Sequence, residues 1–269
     1  YIAATGNSLG HFEEYWDLIR RYRRLTGGAI WDWVSPGLIA PLLITADSTK
    51  YRNDAAVMGP ATLVEGRFGK ALALSGHDEW VELYRDPSLD IEGTSITVCL
   101  WVYPRGWQGS NEFITKGDQQ YALRQADTDT LEFSIFDGKP IAARGRVPED
   151  WDRQWHHLAG VYDGSHLLLY LDGGLLAKQR HEGRVRNSRY PVNLGKNAQN
   201  HGQNYSGQLS NALLDEVQIY HRALSQEELS QISKGPGQPL PEGAVLWLRF
   251  ESVEEQGEFY SIGIGQVCS

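Results

Sequence analysis

The sequence predicts a mainly β fold, a sandwich or barrel of short antiparallel strands, with a helical segment of another architecture at its N-terminal end. Three observations predict it. Short apolar runs recur between turn signals along most of the chain. The stretch WHHLAGVYDGSHLLLYLDGGLLAKQ holds three β-runs joined by Asp163-Gly164 and by Asp172-Gly173-Gly174. Those residues supply the positive φ angles that tight hairpins demand, so the stretch reads as a β-meander. By contrast, GNSLGHFEEYWDLIRRYRRLTGGAIWDW near the start reads as a loop, an amphipathic helix and a short strand.

Taken in order, Tyr1 to Gly37 holds that one helix. Asn7 or Ser8 is its N-cap, and Phe12, Tyr15, Trp16, Ile19 and Tyr22 recur at helical spacing. Gly27 and Gly28 end it, and AIWDWV follows as a buried strand. A helix followed by a buried strand is a unit of a parallel α/β fold, which cannot cover its own faces without neighbours. From Leu38 to Lys234 the pattern changes. ALALSGHDEWVEL, SITVCLWVYP, EFITKG, YALRQ and LEFSIFDGK read as short strands, then the meander, then YPVNLGKN and ALLDEVQIY. Many such strands between turns make a sandwich or barrel. In SQEELSQI, Ser225 and Glu228 form the capping box of a short helix. Gly235 to Gly243, GPGQPLPEG, is a linker by composition. AVLWLRFE is a further strand, and EFYSIGIG is an apolar, glycine-rich end. There are no internal repeats.

Composition bounds the function. A chain of 269 residues is long enough for a sizeable core. Its formal net charge of −9 argues against nucleic acid as a partner, because phosphate binding needs clustered Lys and Arg. The one basic run, Arg20 to Arg24, reads as a solvated helix face. Cys99 lies in an apolar run and reads as core, while Cys268 lies next to the C-terminus; two such residues make neither a disulfide framework nor a zinc site. No apolar stretch reaches membrane-spanning length, and no signal peptide is seen. Since the first residue is a Tyr, this leaves an upstream targeting segment open.

The opening segment resembles family-two glycoside hydrolases of the β-galactosidase type. The residues that carry the resemblance are Tyr1, Gly6-Asn7-Ser8-Leu9-Gly10, Tyr15-Trp16 and Gly27-Gly28-Ala29-Ile30-Trp31-Asp32-Trp33. In that family the catalytic nucleophile is the glutamate directly before the tyrosine matching Tyr1, and the acid/base lies further upstream. The resemblance therefore implies that this chain carries neither, and that it does not hydrolyse glycosides by that mechanism alone. Trp31 matches the aromatic wall under the sugar; the alternative is a buried strand tryptophan. Ala3 stands where many members have a histidine, which weakens an inference of galactose.

The middle segment resembles laminin-G-like, concanavalin A-like jelly rolls, from about Leu63 to Ile232. The stretches are VEGRFGKALALSGHDEWVEL, SITVCLWVYP, FITKG, WHHLAGVYDGSHLLLYLDG, PVNLGKN and LLDEVQIYHRALSQEEL. LWLRFESVEEQGEFYSIGIG looks like a return to the hydrolase after an insertion. The expected organisation is a fragment of a (β/α)8 barrel end at 1–37, a jelly-roll β-sandwich at 38–234, and a linker and return segment at 235–269.

Candidate site residues follow. Jelly-roll glucanases place carboxylates on alternate residues of one strand. No such run is present, and Asp150 and Asp152 read as a solvated turn. The resemblance implies a calcium site with Asp78 and Asp215 as ligands, completed by carbonyl oxygens; Ser75 stands where relatives often have an Asp. His156 and His157 point to opposite faces of a strand and read as one core and one surface residue. The amide-rich loop GKNAQNHGQNYSG offers His201 and Tyr205 for sugar contacts. Trp107, in a loop, is a stacking platform or packs on a barrel. Three functions stand: a non-catalytic carbohydrate-recognition sandwich of a β-galactosidase-like hydrolase, a structural insert shaping the rim or an oligomer interface of that parent, and an independent jelly-roll hydrolase. The expected partners are an oligosaccharide or polysaccharide and the rest of the parent hydrolase, with no nucleic acid and no membrane span. The parent is expected to be secreted or periplasmic.

Overall fold

The computed structural model describes residues 21, 39–83, 86–107, 109, 111–198 and 209–260. The helix and strand expected over residues 6–34 thus lie outside the described residues, apart from Arg21, which is helical and exposed. The chain divides into two compact units, Leu43–Glu254 and Tyr1–Leu42 with Glu255–Ser269. The first unit is a β-sandwich.

The strands are β1 (Ile39–Thr45), β2 (Ala55–Met58), β3 (Thr62–Glu65), β4 (Lys70–Ser75), β5 (Trp80–Leu83), β6 (Ile96–Pro104), β7 (Asn111–Thr115), β8 (Tyr121–Asp127) and β9 (Thr130–Phe136). These are followed by β10 (Pro140–Arg146), β11 (His156–Tyr162), β12 (His166–Leu171), β13 (Gly174–Arg180), β14 (Val192–Leu194), β15 (Asn211–Tyr220), β16 (Ala244–Leu248) and β17 (Glu254–Tyr260). One sheet runs β10-β9-β8-β7-β14-β5-β2-β1-β17. The other runs β13-β12-β11-β6-β15-β4-β3, with β16 also pairing with β15. Every pairing among β1 to β16 is antiparallel.

Alternation builds the core. On β6, Ile96, Val98, Leu100 and Val102 face inward, against Phe113, Leu123, Leu131 and Phe133 of the facing sheet. Gly160 on β11 is a point of close approach, since a Cβ there would meet the Phe133 ring at 2.2 Å. The outer face of the same sheet is covered too. The short helix α1 (Gln226–Ile232) lays Leu229 and Ile232 against Cys99, Ala159, Tyr170 and Tyr220. Ser225 caps it with the expected capping box. The meander turn at Asp172-Gly173 has φ of 50° and 80°, positive at both central residues as a type I′ hairpin requires.

Two expectations need correction. His156 and His157 do face opposite ways, but both are buried. His156 stacks on buried Trp151 at 5.0 Å, while its ring nitrogens lie 2.8 Å from Asp172 Oδ2 and 3.1 Å from the Asp150 carbonyl. Burial opposes its charge, yet these two acceptors outweigh it and raise its pKa. His157 lies under the outer covering, where burial pushes its pKa down to about 4 and keeps the ring neutral. The second correction concerns the C-terminal limit of the sandwich. It runs on past residue 234, because β16 pairs with β15 and contributes Val245, Leu246 and Leu248 to the core. Five strands without a sequence expectation, β1, β2, β3, β10 and β17, complete the sheets.

Candidate functional site

The outward face of the nine-stranded sheet carries a row of fixed charges. Glu112 on β7, Arg124 on β8, Glu132 on β9 and Arg144 on β10 are direct cross-strand partners. Because each strand turns alternate residues away from the core, all four project to the same side. Arg124 donates from Nε and Nη2 to Glu132 Oε1 at 3.0 and 2.8 Å, and from Nη1 to Glu112 Oε1 at 3.5 Å. Arg144 Nε donates to Glu132 Oε2 at 2.6 Å. Both glutamates are buried. Burial alone would lower the Arg124 pKa, but the two carboxylates outweigh it and raise it. A retaining glycosidase needs one carboxyl protonated and a second one attacking, about 5 Å apart. Here one guanidinium bridges the two carboxylates and occupies the space between them, so the pair is not arranged as an acid and a nucleophile.

The row continues onto the loop after β14. Arg124 Nη1 also donates to Asp118 Oδ1 at 3.2 Å, and Asn197 Nδ2 donates to the same oxygen at 2.9 Å. Gly195 N donates to the Glu112 carbonyl at 2.7 Å, and Thr115 Oγ1 to the Lys196 carbonyl at 2.7 Å. These bonds set Lys196 Nζ 4.2 Å from the ring centre of half-buried Trp80. Burial lowers the Lys196 pKa, against the opposing pull of Glu82. Beside them Asn193 is fully buried, donates to the Val81 carbonyl at 3.3 Å, and leaves its Oδ1 without a partner among the described residues.

Of the residues expected from sequence, Trp107 is half-buried in the loop between β6 and β7. That loop is pinned by Arg105, which donates from N to the Asn211 carbonyl at 2.9 Å and from Nη2 to the Leu74 carbonyl at 2.6 Å. Ser210 N to the Gly195 carbonyl, at 2.9 Å, closes the base of the amide-rich loop. The bases of the two loops therefore meet at the start of β15. Trp31, His201 and Tyr205 lie outside the described residues. Asp150 and Asp152 are exposed at a turn, as expected.

Asp78 and Asp215 are not brought together. Asp78 is exposed in the turn after β4, whereas Asp215 is buried on β15. The register Asn211↔Ser75 and Leu214↔Leu72 carries Asp215 toward the Lys70 end of β4, and Asp78 beyond the Ser75 end. Four residues of strand span about 13 Å, while two oxygens on one calcium lie within about 5 Å of each other. The expected calcium site loses its pair of carboxylates. Among the described residues there is no cluster of three or more His, Cys, Asp or Glu placed to hold a metal ion.

Sequence reasoning missed the Glu112–Arg124–Glu132–Arg144 row and the Trp80–Lys196 contact. The signal for the first was present as alternate charged positions on successive hairpin strands, legible only once the register is known.

Comparison with known proteins fits this architecture. Residues 1–56 match the TIM barrel domain of glycosyl hydrolases family 2. Over 38 residues the chain is 63% identical to a β-galactosidase of Photobacterium profundum and 60% identical to one of Pseudoalteromonas haloplanktis. That stretch is 14% of this chain and 4% of either relative. Among solved structures, the binding domain of Paraclostridial Mosquitocidal Protein 1 has a TM-score of 0.57 at 16% identity, covering 71% of this chain and 51% of that one. The botulinum neurotoxin serotype G binding domain has a TM-score of 0.57 at 13% identity, covering 71% and 50%. No helix among the described residues is long and apolar enough to cross a membrane. Residues 75–230, more than half of the chain, match the concanavalin A-like family model, and the chain belongs to the concanavalin A-like lectin/glucanases superfamily.

Proposed function

We propose that the sandwich is a non-catalytic carbohydrate-recognition module of a β-galactosidase-like glycoside hydrolase. One observation carries the reading. The outward face of the nine-stranded sheet holds a rigid row of donors and acceptors that runs into a loop carrying Lys196 over half-buried Trp80. Sugars need fixed hydrogen-bonding groups for their hydroxyls beside an aromatic ring for their C–H surface, and this face offers both. The β-galactosidase-like stretch in the same chain supports a hydrolase as the parent. The recognised sugar would be held by the module while the barrel of the parent does the chemistry.

A second reading is an architectural insert, and one observation favours it. Among the described residues the exposed large hydrophobic side chains are Tyr51 and Leu175, and neither lies on this face. Calorimetric titration of the full chain with galacto-, gluco- and arabino-oligosaccharides separates the two. Saturable binding weakened tenfold or more by Trp80→Ala or Trp107→Ala supports recognition. Heatless titrations with every oligosaccharide favour the insert. The chain is expected to release no product from aryl-β-galactosides; turnover abolished by Glu132→Gln would establish the independent hydrolase instead.

A further inference from the structure

A pocket lies on the opposite side of the sandwich, on the outer face of the eight-stranded sheet, with a volume of about 370 Å³. Its floor is Trp101 on β6 and His157 on β11, which are direct cross-strand partners with ring centres 5.5 Å apart. One wall is the turn holding Arg67 and Phe68. The Phe68 ring meets Trp101 edge-on at 6.1 Å, and the Arg67 guanidinium sits 4.7 Å above the indole. The other wall is Ser233 and Lys234 at the end of α1.

The polar groups of this pocket are incompletely used. Trp101 is 8% exposed, and its Nε1 is buried with no hydrogen-bond partner among the described residues. A buried indole N–H left unpaired at the floor of a pocket points to a ligand oxygen or a bound water. The His157 ring, with its neutral donor and acceptor nitrogens, makes no side-chain hydrogen bond among the described residues. Two cations, Arg67 and Lys234, stand exposed at the mouth. The one carboxylate on the rim, Asp172, already accepts from His156 Nδ1 and from His157 N, both at 2.8 Å. In a chain of net charge −9, this is a locally positive pocket with aromatic walls. It is a shape and charge that suits an anion with an apolar face and hydroxyls, and 370 Å³ falls within the range of small-ligand sites.

We propose that this pocket binds a carboxylate-bearing sugar, a hexuronate unit. The carboxylate is paired by Arg67 and Lys234, a ring oxygen accepts from Trp101 Nε1, and hydroxyls meet His157 and Ser233. The proposal shares with the reading above the idea of a sugar ligand, but it uses a different face and different residues.

The test is calorimetric titration of the full chain with tri-galacturonate and with its neutral counterpart galactotriose, followed in parallel by the indole ¹⁵N–H resonance of Trp101, assigned from Trp101→Phe. Tri-galacturonate is expected to saturate with a dissociation constant below about 1 mM, at least tenfold tighter than galactotriose. It should move the Trp101 resonance, and Arg67→Gln with Lys234→Gln should weaken it tenfold or more, while Trp107→Ala leaves it unchanged. Both cations are exposed, so those variants fold. Absence of saturation by about 10 mM uronide overturns the proposal, as do equal affinities for the two trisaccharides, loss on Trp107→Ala instead, or inorganic sulfate competing at equal affinity. Galactotriose bound at the loop face without uronide binding leaves the reading above standing and removes this one.

Discussion

Asp47 ties the start of the sandwich to β16, and its replacement by Asn tests how much its carboxylate contributes to that joint. The side chain is buried and accepts four hydrogen bonds. Oδ1 takes Thr49 N and Trp247 N, both at 2.9 Å; Oδ2 takes Thr49 Oγ1 at 2.7 Å and Asn53 N at 2.9 Å. Trp247 lies on β16, two hundred residues along the chain from Asp47. Asn keeps one acceptor oxygen, so it retains two of these bonds and turns an N–H pair toward the other two donors. The Thr49 hydroxyl can rotate away, but the amide of Asn53 cannot. Losing two bonds to an ionised acceptor, with one buried N–H left unpaired, costs about 3 kcal/mol. For a domain of this size that is a fall of about 6–12 °C in Tm. The assay is urea unfolding of wild type, Asp47→Asn and Thr49→Val, the last losing only the 2.7 Å hydroxyl bond and about 1 kcal/mol. If Asp47→Asn shifts stability by no more than Thr49→Val does, the Asn53 amide does not depend on the carboxylate and the reasoning fails.

The remaining predictions use the same measurement. On the charge row, Glu132→Ala leaves the partly buried Arg124 guanidinium short of its nearest carboxylate and is expected to cost about 3 kcal/mol. Arg144, 65% exposed, should cost under about 1 kcal/mol as Ala. Similar losses for the two would contradict the geometry. For His157, the folded pKa is depressed to about 4. The unfolded chain therefore takes up the proton first, and stability is lost as pH falls from about 6.5 toward 4; by pH 4.5 that loss is about 2–3 kcal/mol relative to pH 7.5. His157→Phe should flatten this dependence, seen as a smaller change in urea midpoint between the two pH values. Gly160→Ala drives a Cβ into the Phe133 ring at 2.2 Å and should cost at least 1–3 kcal/mol, partly recovered by Phe133→Leu in the same chain.

The strands read correctly from sequence are those whose signals are local. The meander was legible because Asp172-Gly173 can take two positive φ angles and the runs on either side are apolar. By contrast, β10, PIAARGR, begins at a proline, has an exposed pattern and sits at the sheet edge, so neither periodicity nor turn chemistry marks it. The strands β2 and β3 are four residues each, too short for a period to emerge. His156 and His157 show a further limit. Alternation correctly sends them to opposite faces, but it is silent on what lies over the outer face. There α1 and the Arg67–Phe68 turn supply the cover, through contacts made far along the chain. The charge row had the same obscurity. Each of its members is an ordinary strand residue until the register aligns four strands.

The acidic pair in LLDEV shows how a motif can be real and its meaning misread. It stands at a β-bulge, with Glu216 at φ 49° and a register shift between Asp215 and Gln218. Up to Leu214, β15 pairs with β4 on its free side; from Val217 onward, it pairs with β16. A bulge lets one strand change neighbours, and each carboxylate secures one of them. Glu216 Oε2 accepts from Trp247 Nε1 at 2.6 Å and so holds β16. Asp215 Oδ2 accepts from Phe68 N at 2.8 Å and so holds the turn beyond β3. Burial, aided by the Glu216 charge and opposed by the Phe68 amide, pushes the Asp215 pKa up to about 7. What Asp215 holds is the Arg67–Phe68 turn that forms one wall of the Trp101 pocket, so the candidate metal ligand acts as the joint of that wall.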